Sequence, residues 1–253
     1  MRLTRVKRGT AIGARDLEIL KFIFSSRVVL LKQIERKFFP GTHRAISAKR
    51  MRKLELCGFV KAGALLEDGM FNKYFISCDK SLEVTRPLWK FKIDKPHFKS
   101  ESVDHDIRLT AIRLKLENLR SFRAIFPENL LQSSTDLEND PVLRDFVKVQ
   151  SDAALVVSLD NKKQSVFSLE MELNSKGLDR YKDKLSIYYL SGNVDGVLYV
   201  CPEQSIIRCL QEADTQVRGK RNSFLYFALE KNALDEPNKI TFESAIGQKV
   251  TLI

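Results

Sequence analysis

A proline–glycine pair at residues 40 and 41 divides the most constrained stretch of this chain, residues 28–58, into two segments. Proline lacks the amide hydrogen that a helix interior requires, and glycine tolerates the backbone conformations of a tight turn. Before this break, apolar residues recur at helical spacing: Leu30, Leu31, Ile34 and Phe38. The stretch therefore predicts a helix over residues 28–39, a tight turn and a second helix.

The second helix is predicted to start from a Thr42 N-cap and to end at Gly58, a common C-terminal glycine. At 100° per residue, one side is mostly small and apolar: Ser47, Ala48, Met51, Leu54 and Glu55. The other side is mostly cationic: Thr42, Ile46, Lys49 and Lys53, flanked by Arg50 and Arg52. A recognition helix of a DNA-binding protein needs such a division, with one face that packs and one that meets phosphates and base edges. The alternative is a solvated basic face on an ordinary helical hairpin.

A β-hairpin is predicted directly after this helix, from a strand at residues 59–61, a turn at 67–69 and a returning strand at 70–77. A third helix is predicted ahead of the pair, at residues 14–25. This order is typical of a winged helix-turn-helix. We expect base contacts from Thr42, His43, Lys49, Arg50 and Lys53, and phosphate contacts from Arg44, Arg52, Lys61 and Lys73. Asn72 is a further candidate contact on the wing.

The charge distribution favours double-stranded DNA as the partner. The chain has a net charge of +11, and residues 1–100 hold 23 Lys and Arg against 9 Asp and Glu, or +14, which leaves −3 for the rest. A basic front part on a near-neutral remainder is the electrostatic pattern of a nucleic-acid-binding domain. A homodimer is a further expectation, because many helix-turn-helix proteins bind two half-sites. The short apolar runs, the lack of a secretory signal and the scattered cysteines predict no membrane association and a cytoplasmic protein.

The second half of the chain predicts an α/β domain with a mixed sheet. Its helices are expected at 103–119, 176–190 and 204–213, and its strands at 121–126, 152–159, 164–173, 196–201 and 223–228, with further short strands after Lys231. Residues 127–145 are predicted to form an irregular polar insertion, and 160–163 a hairpin turn. The expected divisions are a basic arm (1–13), the winged helix-turn-helix (14–79), a linker containing a short strand and a packing anchor at Trp89 (80–102), and the α/β domain (103–253).

Three acidic residues of this domain form a candidate catalytic site. Asp152 opens one predicted strand, and Glu170 and Glu172 lie two residues apart near the end of its hairpin partner. Such carboxylates can bind Mg²⁺ or Mn²⁺, for which Asp152 and Glu170 are the candidate ligands. The alternative is that Asp152 caps a turn and that both glutamates line a solvated sheet face.

The order of these elements resembles the core of the PD-(D/E)xK nuclease superfamily. Ser151-Asp152 stands where Pro-Asp is usual, and Glu170-Met171-Glu172 where Glu-x-Lys is expected. The missing lysine argues against assuming cleavage, and Lys176, Lys182 and Lys184 on the following helix are candidate substitutes.

The chain as a whole resembles the replication-relaxation family of plasmids and other mobile elements. The resemblance rests on ARDLEILKFI, FFPGTHRAISAKRMRKLELCGFV, HDIRLTAIRLKLE, SDAALVV and FSLEMELNSKGLDRYKDKLSIYY. It implies a winged-helix DNA-binding protein associated with plasmid replication and DNA relaxation. The leading hypothesis is a double-stranded DNA-binding protein that acts at a plasmid or mobile element, in replication or as a transcriptional regulator, with replication or mobilisation proteins as partners. A metal-dependent endonuclease and a dimeric adaptor with an inactive nuclease-like platform are the two alternatives.

Overall fold

The structure, a computed structural model, describes residues 11–67, 69–159 and 164–253. The chain is a mixed α and β protein that divides into two compact units, which meet in sequence between Ala111 and Ile112. The first unit thus extends beyond the predicted domain boundary at residue 102. Residues 1–10 of the predicted basic arm, Asp68 of the first hairpin turn and the turn at 160–163 lie outside the described residues.

The first unit places three helices before a β-hairpin. Its elements are α1 (Ala14–Ser26), β1 (Val28–Leu30), α2 (Leu31–Phe38), α3 (Arg44–Leu56), β2 (Val60–Glu67) and β3 (Met70–Ser77). The strands form an antiparallel sheet in the order β1-β3-β2, with Glu67 opposite Met70 at the end of the hairpin. Apolar residues from all of these helices and from the sheet are buried, among them Ile19, Leu20, Ile34, Met51, Leu54 and Phe75.

The predicted helix over residues 28–39 is wrong at its start, because Val28–Leu30 form strand β1. Val28 and Val29 are β-branched and favour extended backbone. Pairing with β3 satisfies their backbone groups, and this partner lies more than forty residues away in sequence. Helix α2 then starts at Leu31, where the Gln33 side chain accepts a 2.9 Å hydrogen bond from the Leu30 amide.

The predicted N-cap of α3 is also wrong by one residue. His43 is the N-cap, and its Nδ1 accepts a 3.1 Å hydrogen bond from the Ala45 amide. The Thr42 hydroxyl instead donates to the Phe39 carbonyl at 2.9 Å and closes the turn between the two helices. The end of the helix is as predicted, because Gly58 follows it with a φ of +76°, a conformation that glycine adopts without steric cost.

The segment predicted as a linker is a folded part of the first unit. Residues 80–102, all of which the structure describes, contain most of helix α4 (Asp79–Thr85) and a 3₁₀ turn (Arg86–Leu88) in place of the predicted strand. The burial of Ser81, Leu82 and Thr85 follows a helical period. Trp89 is a packing anchor as predicted, since its ring lies 6.1 Å from that of Phe24 in α1.

The second unit contains a seven-stranded mixed sheet. Helix α5 (Val103–Leu116) contains the division between the two units in sequence. The elements after it belong to the second unit: β4 (Phe122–Pro127), α6 (Glu128–Ser133), α7 (Thr135–Asn139), α8 (Arg144–Lys148), β5 (Ala153–Ser158), β6 (Gln164–Met171), α9 (Leu178–Leu190), β7 (Gly196–Cys201), α10 (Gln204–Arg218), β8 (Leu225–Leu229), α11 (Glu230–Asp235), β9 (Ile240–Glu243) and β10 (Lys249–Leu252). The strand order is β10-β9-β8-β7-β6-β5-β4. Strands β6, β7 and β8 are parallel, because α9 and α10 return the chain to the same edge each time.

The mixed sheet and the late strands β9 and β10 confirm the predictions for the second half of the chain. The prediction of an irregular insertion is wrong. Residues 128–148 contain three short helices, because their apolar residues are spaced to reach a core: Leu130, Leu131, Leu137, Leu143 and Phe146 are buried. A second cluster packs α9 and α10 against β7 and β8 through residues such as Tyr181, Leu185, Tyr199 and Leu210. Among the helices that the structure describes, none is both long and apolar enough to cross a bilayer.

Candidate functional site

Helix α3 presents two chemically different faces, as its sequence predicts. Ser47, Met51 and Leu54 are completely buried and hold the helix against the first unit. Residues of the predicted contact set lie at the surface: Thr42, His43, Arg44, Lys49, Arg52 and Lys53. Ile46 lies among them with 53% of its surface exposed. Because the buried face fixes the helix, the cationic face is a fixed feature of the surface of the first unit.

Arg50 is held away from this cationic face by an ion pair inside the unit. Its Nε donates to Oδ1 of Asp16 at 2.6 Å, and its Nη2 donates to Oδ2 of the same carboxylate. The Nη2 group also donates to the Ala11 carbonyl at 3.1 Å. The hydrogen bond to Asp16 raises the pKa of Arg50 in spite of the desolvation of its guanidinium. A bidentate pair of this kind is strong and directional, so Arg50 fastens α3 to α1.

The β2–β3 hairpin borders α3 on one side. The ammonium of Lys73 lies 3.0 Å from Oε2 of Glu55 near the end of α3, and both side chains are partly exposed. Lys61 is exposed on β2, and Asn72 is half-buried on β3. Arg44 is 75% exposed at the start of α3, with its Nε 3.8 Å from Glu35. The fold therefore gathers the predicted basic residues of α3 and the hairpin on one unit, with Arg50 and Lys73 already paired to carboxylates.

The end of the hairpin carries exposed apolar side chains that were not among the predicted site residues. Leu66, Met70 and Phe71 are 61%, 66% and 78% exposed, although they flank the turn of a regular hairpin. The signal was present in the sequence, because these apolar residues stand directly on either side of Glu67-Asp68-Gly69. We refer to Leu66, Met70 and Phe71 as the hairpin tip.

The three predicted catalytic carboxylates do come together in the second unit. Oδ2 of Asp152, just before β5, accepts a 2.7 Å hydrogen bond from the Met171 amide, which lies between Glu170 and Glu172. Glu170 and Glu172 are almost completely buried. The alternative in which both glutamates line a solvated sheet face is therefore wrong. The hairpin pairing of β5 with β6 causes this proximity, as the sequence predicts.

Glu170 is the centre of a closed network of hydrogen bonds. Its Oε2 accepts from the Lys184 ammonium at 2.6 Å, and its Oε1 accepts from Ser168 at 3.1 Å and from the Tyr188 hydroxyl. Ser168 in turn lies 2.6 Å from the Ser151 hydroxyl. Lys184 and Tyr188 are four residues apart on α9 and share a face. That spacing is the sequence signal that could have identified Tyr188 as a partner of Glu170, a residue that was not predicted.

Burial and charge act in opposite directions on this network. Burial raises the pKa of the Glu170 carboxyl to about 7, while the Lys184 ammonium acts to lower it and the Asp152 carboxylate to raise it. Burial acts to lower the pKa of Lys184, but the carboxylates of Glu170 and Asp152 raise it above its ordinary value. Lys184 therefore stays charged at neutral pH, and Glu170 depends on it for its own negative charge.

Glu172 has its own partners at the end of β6. Its Oε1 pairs with the Lys176 ammonium, and its Oε2 accepts from the Tyr181 hydroxyl at 3.3 Å. Of the three candidate substitute lysines, Lys184 and Lys176 thus contact the carboxylates. Lys182 pairs with Asp179 at the surface of α9 instead.

This cluster does not fit a divalent metal ion. Mg²⁺ and Mn²⁺ bind carboxylate oxygens that are free to coordinate them. Here each carboxylate oxygen of Glu170 and Glu172 already accepts from a lysine or a hydroxyl group. Across the part of the chain that the structure describes, no group of three or more His, Cys, Asp or Glu side chains is placed to bind a metal. The arrangement is a charge-balanced network of two glutamates and two lysines, with Asp152 beside it.

Comparisons of the chain with protein-family models, with curated proteins and with solved structures found no match.

Proposed function

We propose that this chain is a double-stranded DNA-binding protein whose first unit is a winged helix-turn-helix. The observation that carries the proposal is the outer face of α3, where Lys49, Arg52 and Lys53 are exposed opposite a completely buried face. Helices α1, α2 and α3 followed by the β2–β3 hairpin give the element order of a winged helix. In this proposal α3 lies in the major groove, and the hairpin is the wing.

The roles of the basic residues follow from their exposure. Lys49 and Lys53 are one helical turn apart and exposed, so they reach base edges and the phosphates beside them. Arg44, Arg52, Lys61 and Lys73 contact phosphates, which supply most of the affinity. We assign no base contact to Arg50, because its guanidinium is bound to Asp16.

The charge of the chain supports an anionic partner for this unit. The +14 of residues 1–100 attracts a polyanion, and the −3 of the remaining residues does not. On the resemblance to the replication-relaxation family, we propose that the protein acts at a plasmid or mobile element, in replication and DNA relaxation or as a transcriptional regulator. Replication or mobilisation proteins are the proposed partners.

The salt dependence of binding tests this proposal. Six basic residues of α3 and the hairpin are expected to meet phosphates, so the logarithm of the binding constant should fall with the logarithm of salt concentration with a slope of about −5. Affinity should then drop on the order of 1,000-fold between about 50 and 200 mM salt. Fluorescence anisotropy with a labelled duplex of mixed sequence measures this slope. A slope near zero would contradict a phosphate-contacting interface.

For the second unit, the closed carboxylate network favours a platform without nuclease activity over an endonuclease. We expect supercoiled plasmid to remain intact when incubated with the protein and Mg²⁺ or Mn²⁺, because neither Glu170 nor Glu172 has an oxygen free for a metal. Agarose gel electrophoresis checks this result. Nicking that disappears in both Asp152→Ala and Glu170→Ala variants would establish the endonuclease instead.

A further inference from the structure

The hairpin tip is an apolar surface at the far end of the β2–β3 hairpin. Leu66 and Phe71 are direct cross-strand partners, next to the Glu67–Met70 pair that flanks the turn, so their side chains stand side by side on one face. Met70 follows the turn on the opposite face of the hairpin, because successive side chains of a strand alternate between faces. Leu66 and Phe71 are 61% and 78% exposed and Met70 is 66% exposed, so apolar area on both faces of the tip is in contact with water, which costs free energy in proportion to that area.

Apolar residues nearer the base of the hairpin belong to the core. Phe75, on the same face as Phe71, is 1% exposed. On the opposite face, Leu65, Tyr74 and Ile76 pack against Val28, Leu30 and Ile107. The tip is therefore the part of the hairpin that extends past the core and presents its apolar side chains outward.

The face that carries Leu66 and Phe71 is the one that α3 borders. Side chains two residues apart share a face of a strand, so Phe71 is on the same face as Lys73. Lys73 reaches Glu55 of α3 with a separation of 3.0 Å between Nζ and Oε2. Phe71 lies roughly 7 Å farther along the strand than Lys73. A duplex that holds α3 in one groove therefore has its neighbouring groove beside the hairpin tip.

We propose that the hairpin tip enters the minor groove of the DNA held by α3 and wedges Phe71, supported by Leu66, between adjacent base pairs. Phe, Leu and Met side chains inserted in this way partly unstack a base step and kink the duplex by about 20–90°. Pyrimidine–purine steps unstack most easily and are the preferred sites. The inference rests on the proposed DNA-binding function and adds that the protein bends the DNA it binds.

The exposed basic residues of α3 favour DNA over a second copy of the chain as the occupant of the tip, although the turn sequence itself contains the acidic Glu67 and Asp68. Lys49, Arg52 and Lys53 are exposed on α3, and residues 1–100 carry a net charge of +14. A second copy would bring a first unit with the same net positive charge, and the two copies would repel each other. A duplex brings phosphates to the basic residues and an apolar stack of bases to the tip.

Ring closure of short DNA by ligase tests the wedge. A linear duplex of about 120 bp is shorter than the persistence length and closes slowly unless it is kinked. The wild-type protein is expected to raise the closure rate at least about tenfold, a change of about 1.4 kcal/mol. The double variant Leu66→Ser/Phe71→Ser should bind a mixed-sequence duplex within about fivefold of the wild-type Kd, because phosphate contacts supply most of the affinity. Its closure rate should fall to that of free DNA.

A matched control removes an equally exposed apolar side chain from the second unit. Leu190 is 80% exposed, and Leu190→Ser should leave both binding and ring closure unchanged. Equal closure with the wild-type and tip-variant proteins would overturn the wedge and leave the DNA-binding function standing. Absence of duplex binding by the wild-type protein would overturn the DNA-binding function itself. Sedimentation that shows a dimer lost in the tip variant would assign the tip to a second copy and overturn the wedge. Thermal unfolding confirms that each variant is folded.

Discussion

Replacement of both Lys49 and Lys53 with alanine is expected to lower the affinity for duplex DNA about 100-fold near 0.15 M salt. Each lysine is exposed on the outer face of α3. A hydrogen bond to a charged group is worth about 1.5 kcal/mol or more, and the loss of two corresponds to about 3 kcal/mol. The salt slope should also become shallower by about 1.8, since each phosphate contact contributes about 0.9. Fluorescence anisotropy over a range of salt concentrations measures both quantities.

A charge-matched variant separates a local contact from the general effect of net charge. Lys220 and Lys231 are exposed in the second unit, and Lys220→Ala/Lys231→Ala removes the same two charges. This control should lose less than about threefold in affinity if the contacts are local to α3. Equal losses in the two double variants would show that α3 is not the reading element. Both variants should unfold at the wild-type temperature, because exposed lysines contribute little to stability.

The replacement of Lys184 with methionine is expected to destabilise the second unit by about 3–5 kcal/mol at pH 8. Lys184 is the cation that faces the buried Glu170 carboxylate at 2.6 Å. Removal of one partner of a buried ion pair leaves an uncompensated charge, which accounts for a cost of this size. Urea denaturation, followed by circular dichroism, measures the free energy of unfolding. The additional change Glu170→Gln should recover most of the loss, because no buried charge then remains unpaired.

The pH dependence of the Lys184→Met variant follows from the pKa of Glu170. That pKa is about 7 in the folded protein, above its ordinary value of 4.5, and removal of Lys184 takes away a group that lowers it. A raised folded-state pKa means that the folded protein holds a proton that the unfolded chain releases. Stability therefore falls as pH rises from 4.5 through the folded-state pKa. The destabilisation of the variant should accordingly be much smaller at pH 5 than at pH 8.

The neighbouring Lys182 provides the control for this experiment. It lies on the same helix as Lys184, and its partner Asp179 is at the surface. Lys182→Met should leave the urea midpoint nearly unchanged at both pH values, because exposed ion pairs contribute little. If Lys182→Met and Lys184→Met had equal effects, the network around Glu170 would not be a source of stability for the second unit.

The features that the sequence predicted well depend on local periodicity. The two faces of α3, the hairpin after Gly58 and the strands with apolar runs such as Gly196–Cys201 follow from the spacing of apolar residues and from glycine at turns. The wrong predictions concern segments whose secondary structure depends on a partner that is distant in the sequence. Val28–Leu30 became a strand because β3 pairs with it, and residues 79–88 became helical because they pack on the first unit.

The same difference between local and distant interactions applies to the candidate sites. The sequence placed Asp152, Glu170 and Glu172 together, because two hairpin strands bring their ends into register. It did not show that Lys184 and Tyr188 would occupy the oxygens of Glu170, since that depends on how α9 packs against β6. Arg50 likewise belongs to the basic face of α3 by its position in the helix, but its guanidinium forms an ion pair with Asp16 on α1.

The amino-acid sequence by itself determined a basic first unit with a two-faced helix and a hairpin, and a second unit with a mixed sheet, because charge balance and apolar spacing are local properties of a chain. The tertiary structure alone decided which of the charged residues remain exposed. A charge that is packed beside an opposite charge is held in place by the low dielectric of the interior, and no spacing rule identifies that partner in advance.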